Sequence, residues 1–225
     1  MSASNILIVG ASSAIGLNLA ERLESRGAEL VRWSRQDGYD ARVDVLGDEE
    51  LPEVPERLDG LVYLPGSITL APFPRLSMET FREDWEINVG GFVRVLHHTI
   101  GSLQKAETAS VVAVSTVAAG YGLGFHASIA AAKGGVEGIV RSLAAEYAPR
   151  GVRFNAVAPS LTDTPLAAKL TDSDDKRKRM DDRHPLGRIG QPADVARAIE
   201  FLVTDDADWV TGQVLGVDGG YGALH

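Results

Sequence analysis

The sequence predicts an α/β fold, one doubly wound parallel sheet of about seven strands. Two observations lead there. Short apolar runs alternate with helical patterns from end to end, the order in which βαβ units are laid down. A glycine-bearing turn also follows the first apolar run and opens the first helix. Size and composition agree: 225 residues, 44% hydrophobic and 24% charged, suit one domain with a sizeable core. No linker, repeat or low-complexity stretch divides residues 1–225.

The elements follow in order. NILIVG (5–10) is a short buried strand, and SAIGLNLAERLESR (13–26) is a helix with Ile15, Leu19 and Leu23 on one face, ended by Gly27. AELVRWS (28–34) is strand two. Only RQDGYDA separates it from RVDV (42–45), strand three. A crossover between parallel strands needs about a dozen residues, so the helix after strand two is shortened or absent. DEELPEVPERL reads at most as a short, proline-interrupted helix. GLVYLPG (60–66) is strand four. A helix spans 77–103, with Ser77 and the acids at 79 and 83 as start signals. SVVAVS (110–115) is strand five, and the helix 127–148 stops before Pro149 and Gly151. VRFNAVAP (152–159) is strand six, QPADVARAIEFLVT (191–204) a helix opened by Pro192, and QVLGVD (213–218) the last strand. Residues 160–187 are irregular and charged, and read as a substrate-side flap. Within them DDKRKRMDDRH (174–184) mixes signs as a solvated helix does; recognition of a phosphate on a carrier-bound substrate is the alternative.

Composition excludes several functions. A net charge of -9 disfavours a phosphate backbone, so no nucleic-acid partner is expected. With no cysteine there is no disulfide, no thiolate nucleophile and no cysteine-bound metal, and no metal site is expected. No run reaches the roughly 20 apolar residues of a membrane span. MSASNILIVG lacks the basic flank and long apolar core of a secretory signal, so a cytoplasmic protein is expected.

Two motifs carry chemistry. VGASSAIG joins strand one to a helix, where backbone N–H groups and the helix N-terminus can meet a pyrophosphate. The Rossmann-type candidates there are Gly10, Ser12, Ser13, Ile15 and Gly16. The second motif is HASIAAAKGG (126–135), in which Ile129 lies one helical turn before Lys133.

With these motifs in order, the chain resembles the short-chain dehydrogenase/reductase family along nearly its whole length, and within it the 3-oxoacyl-carrier-protein reductases. GASSAIG is similar to the family's cofactor turn, with Ala14 for the middle glycine. Asp44 and Val45 resemble the pair at the adenine. YLPG (63–66) stands where the family has NNAG, and only Gly66 matches. INVGG supplies the helix asparagine as Asn88, VSTVAAGYG the strand end bearing the catalytic hydroxyl, and FNAVAPSLTDTPL, with Pro159 and Thr164, the segment over the nicotinamide. DWVTGQVLGVDGG resembles the C-terminal strand and turn.

The resemblance implies hydride transfer between a nicotinamide and a carbonyl or alcohol. In the family a Tyr delivers the proton, a Lys four residues on lowers its pKa and holds the ribose, a Ser polarises the oxygen, and an Asn positions a relay water. Lys133 matches the Lys, and Thr116 stands for the Ser. The Tyr position is Ile129, and no tyrosine lies within ASIAAA (127–132). Loss of a positioned acid costs about 10²–10⁴ in rate. His126 shares a stripe with Ile129 and Lys133 and is one replacement; Tyr121 is another; no acid at all is the third reading. Ser34 and Arg35 end strand two where an acid would mark NAD, so NADP(H) is expected over NAD(H). Three functions stay open: an NADP(H)-dependent reductase of a small-molecule or carrier-bound carbonyl, a degenerate subunit that pairs with an active relative or acts as a sensor, and a non-redox lyase or isomerase. The family's helix interfaces, with Gly90, Gly91, Ala130, Ala131, Ala132, Gly134 and Gly135 here, imply a homodimer or homotetramer, or a heteromer with an active relative.

Overall fold

The structure is a computed structural model that describes residues 4–224. Its strands are β1 (Asn5–Val9), β2 (Glu29–Ser34), β3 (Ala41–Arg42), β4 (Gly60–Tyr63), β5 (Ala109–Val114), β6 (Val152–Pro159) and β7 (Val214–Val217). They form one parallel seven-stranded sheet in the order β3-β2-β1-β4-β5-β6-β7. The helices are α1 (Ala14–Ser25), α2 (Met78–Trp85), α3 (Gly91–Leu103), α4 (Val117–Gly120), α5 (Ala127–Tyr147), α6 (Asp174–Asp181) and α7 (Pro192–Val203). The order reverses beside β1, which opens a crevice past the carboxyl ends of β1 and β4.

Both faces of the sheet are covered, which is why its strands read as unbroken apolar runs. Alternate residues of β1 serve opposite layers. Ile6 and Ile8 pack with Leu19 and Leu23 of α1 and with Val195 and Ile199 of α7. Leu7 and Val9 pack with Phe92 and Val95 of α3 and with Val136 and Val140 of α5.

The connection from β2 to β3 holds no helix, as expected, but strand three is shorter than 42–45. Only Trp33 and Ser34 pair with Ala41 and Arg42. The Asp40 carboxylate accepts the Arg32 N–H at 2.8 Å and closes this short link. Beyond Arg42, Val43 and Val45 turn into the core instead of extending the sheet edge. Residues 48–58 form no helix at all. Leu51 and Leu58 are buried, and the Arg94 guanidinium of α3 donates to the carbonyls of Asp44, Val45 and Glu49. His98 lies 2.8 Å from the Pro52 carbonyl. An extended strap thus covers the sheet where a crossover helix would sit.

The helical path over 77–103 has three parts, because a π-helical turn, Glu86–Gly90, separates α2 from α3. Such turns often mark functional positions, and Asn88 sits on this one. The charged flap contains a 3₁₀ stretch, Pro165–Leu170, and α6, capped by the Ser173 hydroxyl. Strand four stops at Tyr63, three residues short of the expected 60–66, and the remaining elements end within a residue or two of their sequence limits. No described helix is long and apolar enough to cross a membrane, and no described side chains form a metal-binding group. The N-terminal reading falls partly on residues 1–3, outside the described residues.

The small residues divide between two uses. A Cβ on Gly91 would lie 2.5 Å from the Tyr63 hydroxyl, and one on Gly135 would lie 3.0 Å from the Trp85 ring, so both glycines serve packing within the chain. A Cβ on Gly134 or Gly138 would meet nothing within 4 Å. The open helix face expected over all of these positions is therefore narrower, centred on α5.

Candidate active site

The crevice at the reversal point is bordered by the glycine turn after β1 and by Gly66 after β4. At the turn, Gly10 has φ 81° and both Gly10 and Ala11 N–H groups bond the Trp33 carbonyl, at 2.9 and 3.0 Å. Gly16 permits the tight pass into α1, since a Cβ there would lie 2.7 Å from the Ala11 carbonyl oxygen. Ser13 caps α1 by accepting the Gly16 N–H at 3.0 Å. Ser12 and Ser34 join hydroxyl to hydroxyl at 2.8 Å, and Ser34 is buried. Ser34 therefore braces the turn, and Arg35 is the exposed side chain at the end of β2. Asp44 is exposed and accepts the Leu46 N–H at 3.0 Å, whereas Val45 is a core residue.

The second group converges on Gly66. A Cβ there would lie 3.0 Å from Asn88 Oδ1 and 3.2 Å from Lys133 Nζ. A side chain here would crowd both, and glycine lets the chain pass close to them. Asn88 is fixed by its amide, which donates to the Asp84 carbonyl at 2.7 Å and to Ser67 at 3.1 Å. Its Oδ1 is buried and has no hydrogen-bond partner among the described residues. A buried acceptor without a donor is costly, so the atom is set for a ligand or a water. Lys133 Nζ donates to the Val114 carbonyl at 2.7 Å. Burial pulls its pKa down to about 8, against an upward pull from the Asp84 charge.

Around these atoms lies a cavity of about 300 Å³. Ile15, Gly66, Thr116, His126, Lys133, Pro159 and Thr164 line it together with Ile129, so seven expected site residues meet at one place, with Asn88 just behind Gly66. Thr116 caps α4 and its hydroxyl donates to the Pro159 carbonyl at 3.5 Å. Ser115 beside it donates a short hydrogen bond to Glu137 at 2.7 Å, whereas Thr116 makes only the long one to Pro159 as a donor. Ile129 is 4% exposed and belongs to the cavity wall, not to either core layer. His126 stands just before α5, with Nδ1 2.6 Å from the Gly124 carbonyl. Tyr121 sits off the wall, its ring edge-on to Tyr221 at 5.9 Å. The rest of the wall is largely aliphatic, from Leu64, Ile68, Leu70, Leu161, Leu166 and Leu170.

The glycine turn, the Gly66 pass and the orphaned Asn88 oxygen fit a dinucleotide laid from the β2 end across β1 to Lys133. The family description "Enoyl-(Acyl carrier protein) reductase" matches residues 49–222. The chain belongs to the short-chain dehydrogenase/reductase family. It is 35% identical over 241 aligned positions to cis-4-hydroxycyclohexanecarboxylate dehydrogenase of Sinomonas cyclohexanicum, covering 97% of this chain and 96% of that one. It is 33% identical to a 3-oxoacyl-[acyl-carrier-protein] reductase of Thermotoga maritima, covering 95% and 96%. Among solved structures, ElxO with NADP bound superposes with a TM-score of 0.86 at 25% identity, covering 98% and 99%. As a short-chain dehydrogenase/reductase the protein is an oxidoreductase that binds a nicotinamide cofactor.

Two polar groupings, one behind the cavity wall and one on it, were not read from the sequence. The first is Asp84, buried, whose carboxylate accepts the hydroxyls of Ser67 at 2.5 Å, Thr69 at 3.0 Å and Ser128. Nothing in the helical pattern of 77–103 marks this acid as buried. The second is His184 with Ser160, 2.9 Å apart. His184 closes the charged run expected to be a solvated helix; α6 is largely exposed, but Met180, Arg183 and His184 turn into the cavity wall. His184 lies past the end of α6 at Asp181, so a turn and not the helical period brings it to the wall beside Met180, and no sequence pattern marks it.

Proposed function

We propose that the protein is an NADP(H)-dependent oxidoreductase that interconverts a carbonyl and an alcohol without a phenolic proton donor. The observation that carries this reading is the meeting of Asn88 Oδ1 and Lys133 Nζ at Gly66, beside a cavity lined by Gly66, Lys133, Thr116 and Ile129. Three roles follow from the residues. Lys133, charged below about pH 8, is the ammonium that would hold the ribose. Thr116 donates its hydroxyl proton in a hydrogen bond to the substrate oxygen and polarises it. Asn88 Oδ1 accepts a bond from a relay water. The nicotinamide, when bound, supplies or takes the hydride. The aliphatic wall suits a substrate with a small apolar body.

Arg35 supports the choice of NADP(H). It is exposed at the end of β2, and no acid occupies Ser34, so a 2′-phosphate meets a cation and no repulsion. Calorimetric titration should give tighter binding of NADPH than NADH, and Arg35→Ala should erase the difference. Equal affinities in the natural protein, or an Arg35→Ala variant that keeps the preference, would refute the assignment. Ile129 favours a second reading, a cofactor-binding subunit that leaves chemistry to an active relative. It predicts tight NADPH binding with no turnover of any carbonyl.

A further inference from the structure

We propose that Ser160 and His184 carry the substrate proton, with Ser160 touching the substrate oxygen and His184 exchanging the proton behind it. This rests on the oxidoreductase reading above. Ser160 follows Pro159, whose carbonyl meets the Thr116 hydroxyl at 3.5 Å, so two hydroxyl side chains border one wall of the cavity that Ile129 also lines. His184 is 5% exposed and held at both ring nitrogens. Its Nδ1 lies 2.7 Å from the Met180 carbonyl, and a carbonyl only accepts, so Nδ1 carries a proton. In the neutral ring Nε2 is then the acceptor, 2.9 Å from Ser160 Oγ. A hydroxyl paired to an imidazole whose far nitrogen is fixed is built for proton transfer. The Tyr221 ring packs on His184 at 5.2 Å, and the Arg183 guanidinium lies over that ring at 5.4 Å, which holds the flap end in place.

The other polar groups at the cavity fit less well. The Tyr221 hydroxyl, on the same wall, accepts from the Arg183 guanidinium at 2.5 Å. Ser67 already donates to Asp84 and accepts from Asn88. His126 is fixed at one nitrogen, half-buried, and follows Phe125, whose φ is 68°.

The balance is complete. When an alcohol is oxidised, its C–H hydride passes to NADP⁺, its hydroxyl proton passes to Ser160 Oγ, and the proton of Ser160 passes to His184 Nε2. A ketone, NADPH and an imidazolium result. Reduction retraces this path from the imidazolium. Rising pH therefore favours oxidation and disfavours reduction, because oxidation releases one proton and reduction consumes one. The charged groups on the packed elements are Arg183 on the flap and Lys133 across the cavity. The carboxylates of Asp181 and Asp218 accept backbone N–H groups, of Ile189 and of Gly220 and Gly222.

The full chain is assayed with NADPH and ethyl acetoacetate. Ser160→Ala should lower kcat at least about tenfold, and Ser160→Thr, which keeps the hydroxyl, should recover most of it. Where Ile129→Tyr supplies a phenol, the cost of Ser160→Ala should shrink to within about threefold, which lost packing would not do. A second readout needs no cofactor. The carbonyl stretch of ethyl acetoacetate bound to the free protein should lie lower in the natural and Ser160→Thr forms than in Ser160→Ala. Turnover and stretch that ignore Ser160→Ala, or a loss caused by His126→Ala in its place, overturn the dyad alone. Absence of turnover in every form, Ile129→Tyr included, overturns the oxidoreductase reading and the dyad with it.

Discussion

At the residue scale the site turns on Ile129 and Lys133. Both were legible, because a spacing of four on a helix puts them on one face and the cavity wall keeps them there. A phenol at 129 would stand one turn above the Lys133 ammonium, which favours phenolate and brings its pKa toward neutral. Ile129 faces a cavity of about 300 Å³, so a larger ring has room. Ile129→Tyr should raise NADPH-dependent turnover of β-keto esters at least about tenfold over the natural protein. A folded, NADPH-binding variant with no gain would place the divergence elsewhere in the cavity. Lys133 makes a separate prediction. Its pKa falls from 10.5 in the unfolded chain to about 8 when buried. Between these values the unfolded chain holds a proton that the folded one has released, so this contribution to stability rises with pH. Urea unfolding should show the natural protein gaining on Lys133→Met by up to about 3 kcal/mol across that window. NADPH affinity should fall over the same rise, as the ammonium is lost. His184 was not legible at this scale. Its partner Ser160 is distant in sequence, and a chain of charges gave no reason to expect one member buried.

At the element scale, the parallel order and every strand were legible from alternating apolar runs and helical periods. The misses have one cause. Val43, Val45, Leu51 and Leu58 are apolar enough for a strand or a helix, but Pro52 and Pro55 deny the second and the short link from β2 denies the first. Tertiary fastening by Arg94 and His98 then decides their path. The π-turn at Asn88 was likewise invisible, since it changes hydrogen bonding and not periodicity. The helix faces carry an assembly prediction. Gly134 and Gly138 of α5 have open space where a side chain would go, and Trp85 of α2 is 47% exposed nearby. Light scattering at micromolar concentration should give a dimer or tetramer, and Gly134→Glu should give a folded monomer, because nothing within the chain opposes the new side chain. A natural protein that is already monomeric would contradict this.

At the scale of the whole molecule, the reversal of strand order beside β1 brings the glycine turn, Gly66, the π-turn, the N-terminal part of α5 and the flap to one crevice. Sequence motifs spaced across the chain named most of these pieces. The flap side stayed unread because only the folded chain puts Met180, His184 and Ser160 against the end of β6. The central claim is that this crevice holds NADPH with its reactive end among hydroxyls and an ammonium, with no phenol one helical turn before Lys133. A crystal of the protein soaked with NADPH measures this most directly. The account predicts an ordered nicotinamide, the Lys133 ammonium on its ribose, and the hydroxyls of Thr116 and Ser160 as the polar atoms nearest the carbon that gives the hydride. A disordered nicotinamide, or one whose nearest polar neighbour is His126 or Tyr121, would contradict it.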